Sequence, residues 1–265
     1  MEKTDFQWIG SKEHFVDQPF ITKIGEIEIG RFGGNSSAGQ SKNEDACLVW
    51  QSEAADWEFA MLLDAHQTAE SAEAVLEQVD AHKGKIKALL SRPLQKAFFR
   101  NLEDAVLNIF QEESFLAHCR NLQGETACLL AVRKGKYIWW FSVGDCLLYL
   151  FHPELAALGQ HQLNQRQFYE WIGQVNTFEG AIPCYSSGTR ELRQGVSRLF
   201  LTTHGLVECP GNPYSEPASI SRSMERKGGI GEMLQSIQQC GVRDSTTVIS
   251  WEITIQDPAA MPSDQ

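Results

Sequence analysis

TACLLAVRKGKYIWWFSVGDCLLYLF, residues 126–151, is the plainest β structure in the chain and sets its fold class. Thr126 to Arg133 and Tyr137 to Val143 are dense in aliphatic and aromatic residues, and Lys134-Gly135-Lys136 between them reads as a hairpin turn. A Gly144-Asp145 corner follows, and Leu147 to Phe151 resumes strand character. Upstream, Ile21 to Gly30 alternates as a half-buried strand, Gly33 to Gln40 is a Gly- and Ser-rich loop, Ala46 to Trp50 is a strand, and Trp57 to Asp64 is apolar enough for a central one. Downstream, Ser197 to Thr203 runs into His204-Gly205, and Ser245 to Ile255 supplies a last alternating strand.

Helical periodicity is confined to three stretches. From Thr68 to Val79, Ala72, Val75, Leu76 and Val79 share one face, with Thr68 placed to cap the first turn. One long helix is expected from Pro93 to Phe115, carrying Leu94, Phe98, Leu102, Val106, Ile109 and Phe110, and a short one over Gly231 to Gln239. Strands arriving in hairpins with clustered helices predict the α+β class, antiparallel sheets packed with helices. The expected organisation is an N-terminal segment, 1–18, without clear periodicity; one domain over 19–255; and a polar, Pro-containing tail, 256–265, that frays. Within the domain, residues 152–195 read as an irregular surface excursion placed to shape access to a site.

Composition narrows the function classes. A formal charge of −11 argues against non-specific binding to nucleic acid or an anionic membrane, and no segment approaches the roughly 20 apolar residues that span a bilayer. The start, MEKTDFQWIG, lacks an apolar signal core. Seven cysteines, at 47, 119, 128, 146, 184, 209 and 240, contain no Cys-x-x-Cys pair, a pattern of buried thiols in a reducing compartment. A cytoplasmic protein is expected.

Acidic residues recur at the ends of apolar runs: Asn43-Glu44-Asp45, Leu63-Asp64-Ala65-His66, Val143-Gly144-Asp145 and Arg243-Asp244-Ser245. Carboxylates there suffer desolvation and mutual repulsion, which a hard divalent cation neutralises. Each alone is equally an ordinary turn residue.

In order and spacing, KNEDA at 42–46, FAMLLDAH at 59–66, GETACLLAV at 124–132, WFSVGDCLLYL at 140–150, LFLTTHGLVE at 199–208 and RDSTTVISWEI at 243–253 resemble the type 2C metal-dependent protein serine/threonine phosphatases. The resemblance spans about Ile24 to Ile255. It implies a four-layer α-β-β-α sandwich of two antiparallel sheets flanked by helices, two divalent ions (Mn²⁺ or Mg²⁺) at one end, and a phosphorylated protein as substrate. It places Asp64 as the carboxylate bridging both metals, Ala65 as a backbone-carbonyl ligand, Glu44 and Asp45 as the acidic pair of the second metal, and Asp244 as the final metal-binding aspartate. Asp145 matches the corner carboxylate of a third metal, or closes a turn. His66 matches a proposed general acid for the leaving oxygen, or caps the helix that follows.

Two departures stand out. Gln40 lies where the family grips the substrate phosphate with arginine; a neutral amide gives up charge and fork geometry, about 1.5–3 kcal/mol of phosphate binding. Lys42 is the nearby cation able to restore some of that charge. His204 replaces a metal-binding aspartate; imidazole suits Mn²⁺, Fe or Zn²⁺ and suits Mg²⁺ poorly, or binds no metal. The sequence therefore supports a divergent metallophosphatase, with a catalytically impaired binding or regulatory module as the rival and hydrolysis of a small phosphorylated metabolite as a third reading.

Overall fold

Alternation along the strands sorts the side chains into three separate cores, and these define four layers. The computed structural model describes residues 4–226 and 228–258. Twelve strands are present among them: β1 (Asp5–Ile9), β2 (Phe20–Ile24), β3 (Ile27–Phe32), β4 (Ala46–Ser52), β5 (Trp57–His66), β6 (Glu125–Lys134), β7 (Tyr137–Val143), β8 (Leu147–Phe151), β9 (Ile172–Gly173), β10 (Ser186–Glu191), β11 (Gly195–Thr202) and β12 (Thr246–Ile255). The helices are α1 (Glu70–Ala81), α2 (Lys83–Leu90), α3 (Phe98–Phe110), α4 (Glu113–Cys119), α5 (Pro153–Ala156), α6 (Pro217–Met224) and α7 (Gly229–Gln239). One antiparallel sheet runs β1-β4-β5-β6-β7-β10, with β9 added on β6; the other runs β2-β3-β12-β11-β8.

In β5, Phe59, Met61 and Leu63 pack toward α1 to α4, while Ala60 and Leu62 face the second sheet. In β12, Ile249, Trp251 and Ile253 face the first sheet, while Val248 turns to α6 and α7. Burying both faces of each sheet removes most of the apolar surface from water, the main drive for this layering. The expected α-β-β-α sandwich is the observed architecture.

Several boundaries differ from the sequence reading, each for a physical reason. Residues 21–30 form a hairpin rather than one strand, because Gly25 takes a left-handed φ of 55° and turns β2 back onto β3. The stretch 93–115 is two helices, since Glu112 is extended and its carboxylate is held by Gln78 Nε2 at 2.9 Å and His82 Nε2 at 2.8 Å. The N-terminal segment is not separate from the domain: β1 pairs with β4 along Asp5 to Ile9 and puts Phe6 and Trp8 between the sheets. The excursion 152–195 contains an edge strand, β10, with no large apolar residue to betray it; its pairing with β7 is backbone hydrogen bonding. α1 begins at Glu70, and Thr68 accepts the Glu70 N–H at 3.3 Å. Of the tail expected to fray, residues 259–265 lie outside the described residues.

β7 and β8 belong to different sheets, so the Gly144-Asp145 corner carries the chain across the gap between them. Gly144 has φ of 88°, and a Cβ there would strike Ala127 of β6. The corner can be this tight only with glycine, and it delivers Asp145 to the mouth of the gap.

Candidate metal centre

Strand parity aims the polar residues at one end of the inter-sheet gap. Asp64 follows Leu62 on the inter-sheet face of β5, and Asp45 precedes Cys47 on the same face of β4. Ala46 pairs with Leu63, which makes Asp45 and Asp64 lateral neighbours. From the opposite sheet, Thr203 continues the Leu199 and Leu201 face, and Ser245 and Thr247 continue the Ile249 face.

At the centre of the cluster is His204. Its Nδ1 lies 2.7 Å from Asp64 Oδ2, its Nε2 lies 2.6 Å from Asp244 Oδ2, and its backbone N–H donates to Asp64 Oδ2 at 3.2 Å. Asp145 Oδ2 is 4.0 Å from the same Nδ1. Desolvation opposes charging the imidazole, but Asp64 and Asp244 outweigh it and hold the His204 pKa up to about 12. Burial likewise opposes ionising Asp64, and His204 overcomes it, holding that carboxyl below the usual range. His66 stacks on His204 with ring centroids 5.4 Å apart and planes within 7°, and Trp171 lies tilted against the His66 ring at 5.1 Å.

Asp45 is fully buried and occupied otherwise. It accepts from Ser245 Oγ at 2.9 Å, Thr247 Oγ1 at 2.6 Å and Thr203 Oγ1 at 3.4 Å. Burial first, then the Asp64 charge, pushes its carboxyl well above the usual carboxylate range despite these hydroxyls. Glu44 is tied to Lys42 Nζ at 2.7 Å, and that ammonium also donates to the Gln67 carbonyl. Ala65 turns its side chain into the helix-side core and is not left-handed, so its backbone conformation is open to alanine. Among the described residues no hydrogen bond links Gln40 or Lys42 to Asp64, Asp145, His204 or Asp244. The Gln40 side chain instead lies against Gly34.

Of the ten residues singled out by sequence, the structure thus gathers Asp45, Asp64, His66, Asp145, His204 and Asp244. Glu44 and Lys42 stay on the rim. Sequence reasoning passed over the hydroxyl cradle, although Thr203 and Thr247 stand at strand positions whose parity points inward. It also passed over Arg166 of the excursion, which reaches Asp145 Oδ2 at 3.4 Å and Glu208 Oε1 at 2.6 Å. Arg31, opposite Thr247 in register, could have supplied a cation, but its guanidinium is packed against Phe6, Trp8, Phe15 and Phe20 at 4.8–5.3 Å and closes the sandwich edge.

The donor set fits one ion. Asp64, His66 and His204 each offer a ligand atom, all within 4.8 Å of one another. Among the described residues His66 Nδ1 and Asp145 Oδ1 are buried without a hydrogen-bond partner, which leaves both open to a ligand. One oxygen with two imidazole nitrogens favours Mn²⁺, Fe or Zn²⁺ over Mg²⁺. A second ion fits less well, since Asp45 and Glu44 are already satisfied by hydroxyls and an ammonium.

No protein-family model and no curated protein matches the chain. Solved structures are similar to it. A bacterial serine phosphatase superposes with a TM-score of 0.61 at 16% identity, over 88% of this chain and 99% of that one. Serine/threonine phosphatase Stp1 from Staphylococcus aureus gives 0.59 at 14%, over 90% and 94%. The catalytic domain of serine/threonine protein phosphatase PstP, solved with two manganese ions, gives 0.54 at 16%, over 79% and 91%. At such identities the likeness is one of fold. Among the described residues no helix is long and apolar enough to cross a membrane.

Proposed function

We propose that this chain is a divergent metal-dependent phosphatase of phosphoserine or phosphothreonine in proteins. The observation that carries the reading is the group Asp64, His66 and His204, three ligand atoms within 4.8 Å at the mouth of the gap in a sandwich that bacterial serine/threonine phosphatases share. Asp64 and His204 would hold the ion, with Asp145 beside them. A bound divalent cation supplies a more acidic water and charge stabilisation on phosphoryl oxygens.

The chain's own residues supply the rest. His66 is assigned the proton for the departing serine or threonine oxygen, a role that suits an imidazole beside carboxylates. Arg166, steadied by Asp145 and Glu208, offers a cation beside the cluster for a substrate phosphate. Gln40 contributes at most a neutral amide.

A second reading has one observation in its favour. Both nitrogens of His204 are engaged by carboxylates, and Asp45 by three hydroxyls, so two expected ligands are already satisfied within the protein. A phosphopeptide-binding module without turnover fits that arrangement. Phosphopeptide hydrolysis with Mn²⁺, measured beside phosphopeptide binding, separates the two. Mn²⁺-dependent turnover supports the phosphatase, binding without turnover supports the module, and turnover that survives exhaustive chelation excludes the metal mechanism.

A further inference from the structure

The chain between β1 and β2 touches two segments that carry candidate site residues. At one end the Gly10 N–H donates to the Asp45 carbonyl at 2.8 Å; at the other the Asp17 N–H donates to the Gly34 carbonyl at 2.9 Å, and Asp17 Oδ1 accepts the Ser36 N–H at 2.8 Å. His14 stands between these ends. Its side chain lies at the surface, yet Nδ1 accepts the backbone N–H of Asn43 at 3.1 Å and its carbonyl accepts Asn43 Nδ2 at 3.2 Å. Asn43 is wholly buried and passes the contact on, since its Oδ1 accepts the Asp45 N–H at 3.0 Å. A Cβ on Gly33 would strike the His14 carbonyl, so the Gly33 to Gln40 loop abuts the same residue. The strap has little freedom to shift: Phe15 and Asp17 are left-handed at φ of 49° and 61°, conformations that residues other than glycine keep only where their surroundings fix them.

We propose that His14 is a positioning residue for the Glu44-Asp45 pair, acting through Asn43. An imidazole accepts at Nδ1 only with its proton on Nε2, so the contact selects that tautomer. Take the acceptor away and the Asn43 N–H is a buried donor without a partner, a state the segment relieves by turning toward water. That movement draws Asn43 Oδ1 off the Asp45 N–H.

Asp45 neighbours Asp64 across β4 and β5, and Glu44 sits on the rim, so a shift of this segment moves two carboxylates of the site while the strands beneath stay in register. The catalytic consequence rests on the phosphatase reading above; the clasp of His14 on Asn43 does not.

Two substitutions at this surface position separate the acceptor from the ring. His14→Asn keeps a side-chain acceptor and loses the ring, whereas His14→Phe keeps a ring and loses the acceptor. Hydrogen exchange of the full metal-free chain, resolved by residue, is expected to show the Asp45 N–H exchanging about tenfold or more faster in His14→Phe, with the amides of β5 and β6 unchanged and with His14→Asn returning toward the wild-type rate. Asp45 is the informative probe because its N–H bonds to Asn43 and not to His14. With Mn²⁺ and a phosphoserine peptide, kcat is expected to fall about tenfold in His14→Phe at unchanged KM and to recover in His14→Asn. The proposal is overturned if Asp45 exchange in His14→Phe matches the wild type, if His14→Asn behaves like His14→Phe, if all amides quicken together, or if kcat holds while Asp45 exchange quickens. A wild type without turnover counts against the phosphatase reading alone, and Asp45 exchange then decides the role of His14.

Discussion

Asp64 and His204, 140 positions apart in the chain, meet at 2.7 Å across the gap between two sheets, and the His204 backbone N–H donates to the same carboxylate oxygen. Asp244 holds the other imidazole nitrogen at 2.6 Å. An imidazolium between two carboxylates occupies the position in charge space that a metal dication would otherwise fill. The properties of the site follow from which of the two is present.

In the metal-free protein, the ion pair should govern the alkaline limb of stability. The folded pKa of His204, about 12, lies above its unfolded value near 6.5, so its contribution is complete below pH 6.5 and is lost progressively as pH rises toward 12. Between pH 7 and 9 the wild type should therefore lose more stability than His204→Gln, by on the order of 1–3 kcal/mol. Urea unfolding at the two pH values measures it, and parallel losses would show that the imidazole is neutral.

Calorimetric titration should find one tight Mn²⁺ site, with Mg²⁺ at least tenfold weaker, because an imidazole, His204, stands among the carboxylates that would hold the ion. His204→Ala should weaken that site, whereas His66→Ala should lower turnover more than it lowers metal affinity. Two equally tight sites would mean that Asp45 abandons its hydroxyls on loading. Tighter Mg²⁺ than Mn²⁺ would mean that His204 is no ligand.

Asp45→Asn should leave the metal-free protein as stable or more so, since burial already drives this carboxyl toward its neutral form and an amide oxygen can accept from the same hydroxyls. Thr247→Val should cost about 1–3 kcal/mol by stranding a buried acceptor. Denaturant midpoints decide it. A large loss from Asp45→Asn would indicate an ionised carboxylate and reopen its place as a ligand.

His204→Asp and Gln40→Arg should act on different steps. The first restores an oxygen ligand and should shift metal preference toward Mg²⁺; the second restores a bidentate clamp and should lower KM for a phosphopeptide roughly tenfold or more. The double variant should exceed either. If it folds and gains neither metal affinity nor turnover, the binding-module reading is the better account.

Much was legible from sequence because local chemistry dictates it. Alternation in residues 126–151 and 57–64 requires strands, the three- and four-residue spacing of Val75, Leu76 and Val79 requires a helix, and the order of the acidic motifs points to a metal-type cluster. Edge strands were less legible. β1 is five residues long and β10 has no large apolar residue, so neither carries a periodic signal; they are strands because a neighbour offers unpaired backbone groups.

Which polar side chains meet was decided only in three dimensions. The sequence determines that Asp45, Asp64, Thr203, Ser245 and Thr247 end inward-facing rows, because strand period fixes the face. It does not determine the stagger of one sheet over the other. That stagger sets three hydroxyls against Asp45 and gives both nitrogens of His204 to carboxylates. Hydrogen bonds and ion pairs depend on distances of a few tenths of an ångström between strands remote in sequence, and only the packing of the two sheets sets those distances.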